Sequence, residues 1–376
     1  MEFKINKVHF NEAVSEVSRA ISSKTVLPIL SGIKIEVKTD RLILVGSNSE
    51  IVIEETIPIE IDGESIIEII ETGSIVISAR YLSEIIKKMP NDIYIKVTDK
   101  HSVILQSDEI ITKINGLDAT EYPQIAEIKS KNSISIAGKD LLTIIKQTIF
   151  AASKSETSPV LTGVNFYFQK DMLTCVATNS QRLSLIKHKI ESDLIGSYTV
   201  PSASLSELLK VFANYPKEIE IFVSESTIVF KSDTITVSSK LIKGKYPNAA
   251  GLIPQQSSTT ITLDTVKLLK GIDRASIFAG DSRHNNIRIQ LDSSSKIKIS
   301  SKSSEMGQIE ESQFIKHISG EETLTISLDS NFMLEALKGI KEDEVTISFN
   351  GSMRPVMIQP VGNDSQLQLI SPVRSN

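Results

Sequence analysis

Residues 157–168, TSPVLTGVNFYF, repeat the pattern of residues 24–37, KTVLPILSGIKIEV: a proline turn, a glycine, then an alternating apolar run. Pro28 and Pro159 set the offset at 131 residues (159 − 28). Next in line, LILVGSNSEIVI (42–53) matches LTCVATNSQRLSLI (173–186). Farther on, INGLDATEYPQIAEI (114–128) matches LIKGKYPNAAGLIP (241–254), with Pro123 and Pro247 offset by 124 (247 − 123). Three matches in one order, at nearly one offset, identify an internal repeat, and that repeat governs the reading of the whole chain.

A fainter third copy follows. TTITLDTVKLLKGIDRASIFA (259–279) resembles NSISIAGKDLLTIIKQTIFAA (132–152) and the opening MEFKINKVHFNEAVSEVSRAI (1–21). Each reads as a short alternating strand, a polar cap, then a helix with apolar residues at three- and four-residue spacing. A second such unit recurs midway through each copy, at 74–97, 197–223 and 324–349. Each copy is therefore two strand–helix–strands half-units. Short polar turns such as DGES, KTDR and VTDKHS suit antiparallel sheets, and two amphipathic helices per copy are enough to cover one sheet face. The expected architecture is α+β, with three similar domains over residues 1–128, 129–254 and 255–376.

Composition narrows the function classes. The 376 residues exceed one ordinary core. Net charge is −5, so a basic surface must come from placement of the 41 Lys and Arg, not from their excess. Aromatic residues are few and Trp is absent, which argues against base-stacking platforms. No apolar stretch approaches the roughly 20 residues of a membrane helix, and MEFKINKVHF has no signal-peptide pattern. The single Cys175 excludes a disulfide framework and a Cys-based metal site. These features favour the cytoplasm and no membrane.

Catalytic patterns are absent. There is no G-x-x-x-x-G-K-S/T or G-x-G-x-x-G loop, and the five His (9, 101, 188, 284, 317) are scattered without zinc spacing. DSRHNN (281–286) mixes an acid, a base and an amide but reads as a surface loop. The pairs Glu54-Glu55 and Glu321-Glu322 read as solvated strand and turn charges. No cofactor, metal or enzymatic activity is expected.

The helices point to a polyanionic partner. Arg80, Glu84 and Lys87 share a face, with Lys88 beside them. Lys139, Lys146 and Gln147 follow, then Ser206, Lys210 and Asn214 at four-residue spacing. The third copy offers Lys267, Lys270 and Arg274, then Lys338 and Lys341. Acids concentrate in strands and loops such as EIVIEETIPIEIDGESIIEIIE (50–71). Solvated helix faces explain any one of these helices alone. Six in a repeating frame suggest a basic face that contacts phosphates without reading bases.

LPILSGIKI, TSPVLTGVNF, ATNSQRL, GKYPNAAGLIP and the terminal ISPVR together resemble the bacterial DNA polymerase III β subunit family, the sliding clamps, nearest its low-GC Gram-positive members. The likeness runs through the whole chain in order. It implies a non-catalytic, head-to-tail homodimeric ring of six domains, helices inside and sheets outside, that encircles duplex DNA and gives the polymerase processivity. By the same resemblance Lys24 and Arg80 match family arginines that touch the duplex, and Lys146, Lys210 and Lys338 on the helices are expected to line the hole with them. Implied partners are the DNA polymerase III α subunit, the clamp loader, repair polymerases and mismatch-repair proteins, which dock through short peptides. The implied peptide pocket takes Leu161, Thr178, Ser180, Gln181, Arg182, Leu183, Pro247 and Leu252. From the third copy it takes Phe332, Met353, Pro355, Leu369, Ser371, Pro372, Val373 and Arg374. An apolar cleft with a few polar groups suits such anchors.

The chain departs from the family pattern at several pocket positions. Asn179 and Gln181 stand where Asp and His are usual, Ser158 where Arg is common, and Ser371 where the Gram-positive members have an apolar residue. Ser375-Asn376 replaces a Thr-Tyr ending. Ser371 brings a hydroxyl into an apolar wall, and the Gln181 amide is expected to partner it. The changes fit a paralogue or a mobile-element clamp with altered peptide specificity as well as a housekeeping clamp.

Overall fold

A computed structural model of the chain describes residues 1–22, 25, 27–123, 133–214, 217–280, 285–292 and 295–373. All six expected helices are present: α1 (Lys7–Ser18), α2 (Ala79–Lys88), α3 (Gly138–Thr148), α4 (Ser202–Val211), α5 (Thr265–Ala279) and α6 (Ser330–Lys338). Each follows directly on a short strand, as the repeat requires. Polar caps start three of them. The Asn6 side chain accepts from the Val8 and His9 N–H groups, Asp264 from Lys267, and Asp329 from Asn331 and Phe332. Such caps satisfy amides that have no partner within the helix. Ser78, before α2, makes no side-chain cap bond.

Every strand pair described is antiparallel, and the chain forms two compact units. The first comprises residues 1–141 and 203–241. It holds a five-stranded sheet ordered Ile110–Asn115, Ser102–Ser107, Ile93–Val97, Glu2–Ile5, Ile67–Glu71. Its eight-stranded sheet starts with the second copy's Ile134–Ala137, Glu218–Val223, Thr227–Lys231 and Ile235–Lys240. The first copy's Ile51–Pro58, Arg41–Ser47, Gly32–Val37 and Gly73–Ser78 continue it. The second unit comprises residues 142–202 and 242–376. In its nine-stranded sheet Arg182–Lys189 lies beside Gln366–Ile370, and its four-stranded sheet begins at the edge strand Gly307–Phe314.

The repeat therefore extends to the joins between copies. Ile51–Glu55 of the first copy pairs with Ile235–Ser239 of the second, and Arg182–Ile186 of the second pairs with Gln366–Ile370 of the third. The equivalent strands left over are Gly307–Phe314 and Ile110–Asn115, and each ends a sheet among the described residues.

Alternation decides which strand face meets a helix. Phe3 on the first strand meets Phe10 of α1 edge-to-face at 6.4 Å. In Ile51–Pro58 the buried residues are Ile51, Ile53 and Ile57. The close approach of α1 to the neighbouring strand needs Gly46, where an added Cβ would stand 2.0 Å from the Val17 carbonyl oxygen.

Glu55 falls on the same alternation, which corrects its reading as a solvated strand charge. Its Oε2 is buried and has no hydrogen-bond partner. Burial, followed by the negative charges of Glu16 and Glu12 on α1, pushes its carboxyl up to about 7. A raised folded-state value means that folding favours the protonated form, so this group's contribution falls as pH rises from about 4.5 to about 7. Glu55→Gln is expected to stabilise the protein at pH 8 by roughly 1–3 kcal/mol and to leave stability at pH 5 nearly unchanged. Denaturant midpoints at the two pH values check this; equal effects at both would contradict it.

Candidate functional site

The stretch CVATNSQRLSL (175–185) leaves one strand at Thr178 and enters the next at Arg182. Its side chains build the turn. Asn179 Oδ1 accepts the Gln181 and Arg182 N–H groups, each at 3.0 Å. The Thr178 hydroxyl donates to the Arg182 carbonyl at 2.6 Å and accepts the Ser180 N–H at 3.1 Å. Ser180 takes a left-handed φ of 74°, a conformation that short polar residues tolerate. The Thr178 N–H donates to the Tyr246 hydroxyl oxygen at 3.0 Å, which ties the turn to the Tyr246-Pro247 segment. Burial pushes the Tyr246 hydroxyl up to about 12, so it stays protonated.

Arg182 is only 8% exposed. Its guanidinium lies over the rings of Phe332 (4.3 Å) and Phe150 (5.3 Å) and donates to the Glu335 carboxylate and the Phe150 carbonyl. A planar cation between aromatic faces with a paired carboxylate is a well-compensated buried charge. It fastens the turn to α6 and leaves little of itself for a ligand. One of its nitrogens, Nε, has no partner.

Strand pairing then sets Leu183 opposite Leu369. These two join Val176, Leu185, Tyr246 and Leu367 in an apolar cluster, with Leu161, Val160, Ala249, Ile253 and Met357 packed against it. Leu252 and Met353 are large apolar side chains left 54% and 57% exposed. Pro247 is exposed, and Pro355, Pro372 and Val373 are half-buried. The Val373 N–H donates to the Ser327 carbonyl at 2.9 Å. Leu161, Leu183 and Leu369 thus share one cluster, whereas Phe332 belongs to the Arg182 stack. Arg374 lies outside the described residues.

Gln181 and Ser371 do meet, but through the backbone: the Ser371 N–H donates to the Gln181 carbonyl at 2.8 Å. No hydrogen bond joins their side chains among the described residues, which corrects the expected amide–hydroxyl pair. Sequence reasoning missed Tyr246, Glu335 and Phe150. Tyr246 carried a signal, because a Tyr-Pro recurs at Tyr122-Pro123 in the matching segment. The partners of Arg182 are distant in sequence and carried none.

Arg80, Lys146, Lys210 and Lys338 all have exposed side chains on helices; Lys24 lies outside the described residues. The six helices carry eleven Lys and Arg against seven Asp and Glu, a net +4, while the chain as a whole is −5. The separation of charge is real but less clean than the sequence reading had it. Acids on or beside the helices pair with several of these bases: Glu207 with Lys210 at 2.8 Å, Asp264 with Lys267 at 4.0 Å, and Glu311 with Arg274 at 2.7 Å. Gln147 is not on an outer face; its amide donates to the Gly339 carbonyl at 2.7 Å. No group of three or more His, Cys, Asp or Glu suited to a metal occurs among the described residues. Cys175 is buried, and burial pushes its thiol well above the ordinary range. No described helix is long and apolar enough to cross a membrane.

Three family profiles match consecutive parts of the chain: the N-terminal domain of the DNA polymerase III beta subunit over residues 1–126, its central domain over 135–248, and its C-terminal domain over 250–374. The beta sliding clamp of Bacillus subtilis (strain 168) is 40% identical over 378 residues, with all of both chains covered. That of Staphylococcus aureus is 37% identical over 377 residues, again with full coverage. Among solved structures, the B. subtilis DNA polymerase sliding clamp superposes with a TM-score of 0.97 at 39% identity. The beta chain of DNA polymerase III from Streptococcus pneumoniae reaches 0.94 at 33%. Both are covered completely, as is this chain. With its length, repeat and strand order all matched, the chain belongs to the DNA polymerase III beta subunit family, the beta sliding clamps.

Proposed function

We propose that this protein is a non-catalytic sliding clamp: two copies join head to tail, encircle duplex DNA and keep DNA polymerase III on its template. The domains run over 1–128, 129–254 and 255–376, and the protein works in the cytoplasm. The observation that carries the reading is the full-length likeness to the B. subtilis beta sliding clamp, in sequence and in fold. The net positive helices support it, because a ring that slides must hold phosphates by charge without reading bases. Lys24, Arg80, Lys146, Lys210 and Lys338 supply that contact.

The two edge strands left over support the dimer. Two joins between copies are made within the chain, and a third join of the same kind needs Gly307–Phe314 of one copy against Ile110–Asn115 of another. A head-to-tail contact closes only when its rotation returns to the start. Ile110 and Ile111 are 46% and 65% exposed, and Met306 and Phe314 are 74% and 73% exposed. Open strand edges that carry exposed apolar side chains invite pairing with another chain. Light scattering at micromolar concentration is expected to give twice the 41.4 kDa chain mass, and Ile111→Lys to give the single mass. A monomeric wild type, or a dimeric variant, would contradict the edge-to-edge join.

Partner peptides dock on the Leu183–Leu369 cluster, with the exposed Leu252 and Met353 taking part. The α subunit, the clamp loader, repair polymerases and mismatch-repair proteins reach the clamp there. Ser371 weakens this docking, because a hydroxyl facing an apolar anchor is desolvated at a cost of roughly 1–3 kcal/mol unless it finds a partner. A Q-L-x-L-F peptide is expected to bind Ser371→Leu about tenfold more tightly than wild type. Equal affinities in a fluorescence titration would remove Ser371 from the anchor's surroundings.

A further inference from the structure

The peptide site has a counterpart in the first unit. At the offset of 131 residues, the turn Ser47–Val52 answers Thr178–Leu183, and the likeness extends to individual bonds. Asn48 Oδ1 accepts the Glu50 and Ile51 N–H groups, each at 3.0 Å, as Asn179 does for Gln181 and Arg182. Ser49 has a φ of 76° against 74° at Ser180. The Ser49 N–H donates to Ser47 Oγ at 3.2 Å. Lys240 stands where Ser371 stands, and its N–H donates to the Glu50 carbonyl at 2.9 Å. Val52 lies opposite Ser238, as Leu183 lies opposite Leu369. Beneath them Tyr122 packs with Leu30, Val45 and Val76, as Tyr246 packs in the other cluster.

A cavity of about 340 Å³ opens on this turn. Its apolar walls are Leu27, Val52 and Pro123; the last is the counterpart of Pro247. Its polar walls include Ser49, Thr227 and Ser238. Thr227, which pairs with Lys240, takes the place of Pro355. Two of the substitutions between the sites remove carbon: Val for Leu at 52, and Ser for Leu at 238. A third, Thr for Pro at 227, adds a hydroxyl. The hydroxyls of Ser49 and Ser238 make no hydrogen bond with the described residues. At the rim Lys240 and Glu50, 57% and 67% exposed, lie 3.5 Å apart and leave no net charge.

We propose that this cleft is a second peptide-docking site on each chain, taking an extended segment anchored by a tyrosine. The inference rests on the peptide-site reading of the Leu183–Leu369 cluster, of which the cleft is the repeat-related copy. With less carbon at 52 and 238 and hydroxyls in its walls, the cleft takes an apolar anchor with a polar tip. The tyrosine ring lies against Leu27, Val52 and Pro123, and its hydroxyl meets Ser238 or Ser49. Buried phenols need such a partner, and a ring of this kind brings large contact area at low entropy cost. A neutral rim makes the binding insensitive to salt, unlike contact with phosphates.

Fluorescein-labelled Gly-Ser-Tyr-Ser-Gly and Q-L-x-L-F peptides, titrated against the full-length protein, test this. The tyrosine peptide is expected to saturate without displacing Q-L-x-L-F, and to lose about tenfold in affinity when its Tyr is replaced by Ala. Ser238→Leu, and independently Thr227→Leu at the rim, are expected to weaken the tyrosine peptide about tenfold and leave Q-L-x-L-F binding unchanged. No saturable binding, mutual displacement, or indifference to both variants would overturn the proposal. If the tyrosine peptide responds to Ser238→Leu while Q-L-x-L-F ignores Ser371→Leu, the second cleft stands and the pocket assignment at Ser371 falls.

Discussion

One interaction governs the rest: the antiparallel ladder that carries a sheet from one copy of the repeat into the next. At its joins a lone copy would leave two open strand edges, each a row of unsatisfied N–H and C=O groups. Pairing Ile51–Glu55 with Ile235–Ser239, and Arg182–Ile186 with Gln366–Ile370, satisfies four of those edges within the chain. The repeat then dictates what the two remaining edges require. The proposed clamp function follows the same line, since closing a ring would call for a second copy and no reactive group.

The ladder also creates the two clefts proposed as docking sites. Wherever two copies join, a tight turn led by Asn48 or Asn179 comes against the end of a strand from the next copy, over a buried Tyr from a Tyr-Pro segment. The backbone geometry is nearly the same at both joins, so specificity must lie in the side chains that replace one another. Leu183 and Leu369 make one cleft apolar, whereas Val52, Ser238 and Thr227 put less carbon and more hydroxyl into the other. Arg182 has no counterpart at the first join, where Ile51 takes its position. Its burial between Phe332 and Phe150 gives the second turn a link to α6 that the first turn lacks.

Much of this was legible in the sequence because it depends on local signals. Prolines and Asn-Ser turns recur at fixed offsets, and with the helical spacing of apolar residues they mark the copies, the helices and the turn. Pairing between copies was not legible, because strand alternation says which face is buried but not which distant strand lies alongside. The same limit hid the fate of Arg182, whose partners Glu335 and Phe150 are brought to it only by the tertiary fold. Glu55 misled for a related reason: beside Glu54 it reads as a solvated pair, yet the alternation sets one of the two under α1. The helices' basic faces were overstated because neutralising acids such as Glu311 come from a neighbouring strand.

In the proposed function the closed ring, not affinity alone, holds the protein on DNA. Loading it onto nicked circular duplex with its clamp loader, then cutting the circle once, tests that claim most directly. The protein is expected to stay with the circle through gel filtration at high salt and to run off once the DNA is linear. Equal loss from circular and linear DNA would contradict it.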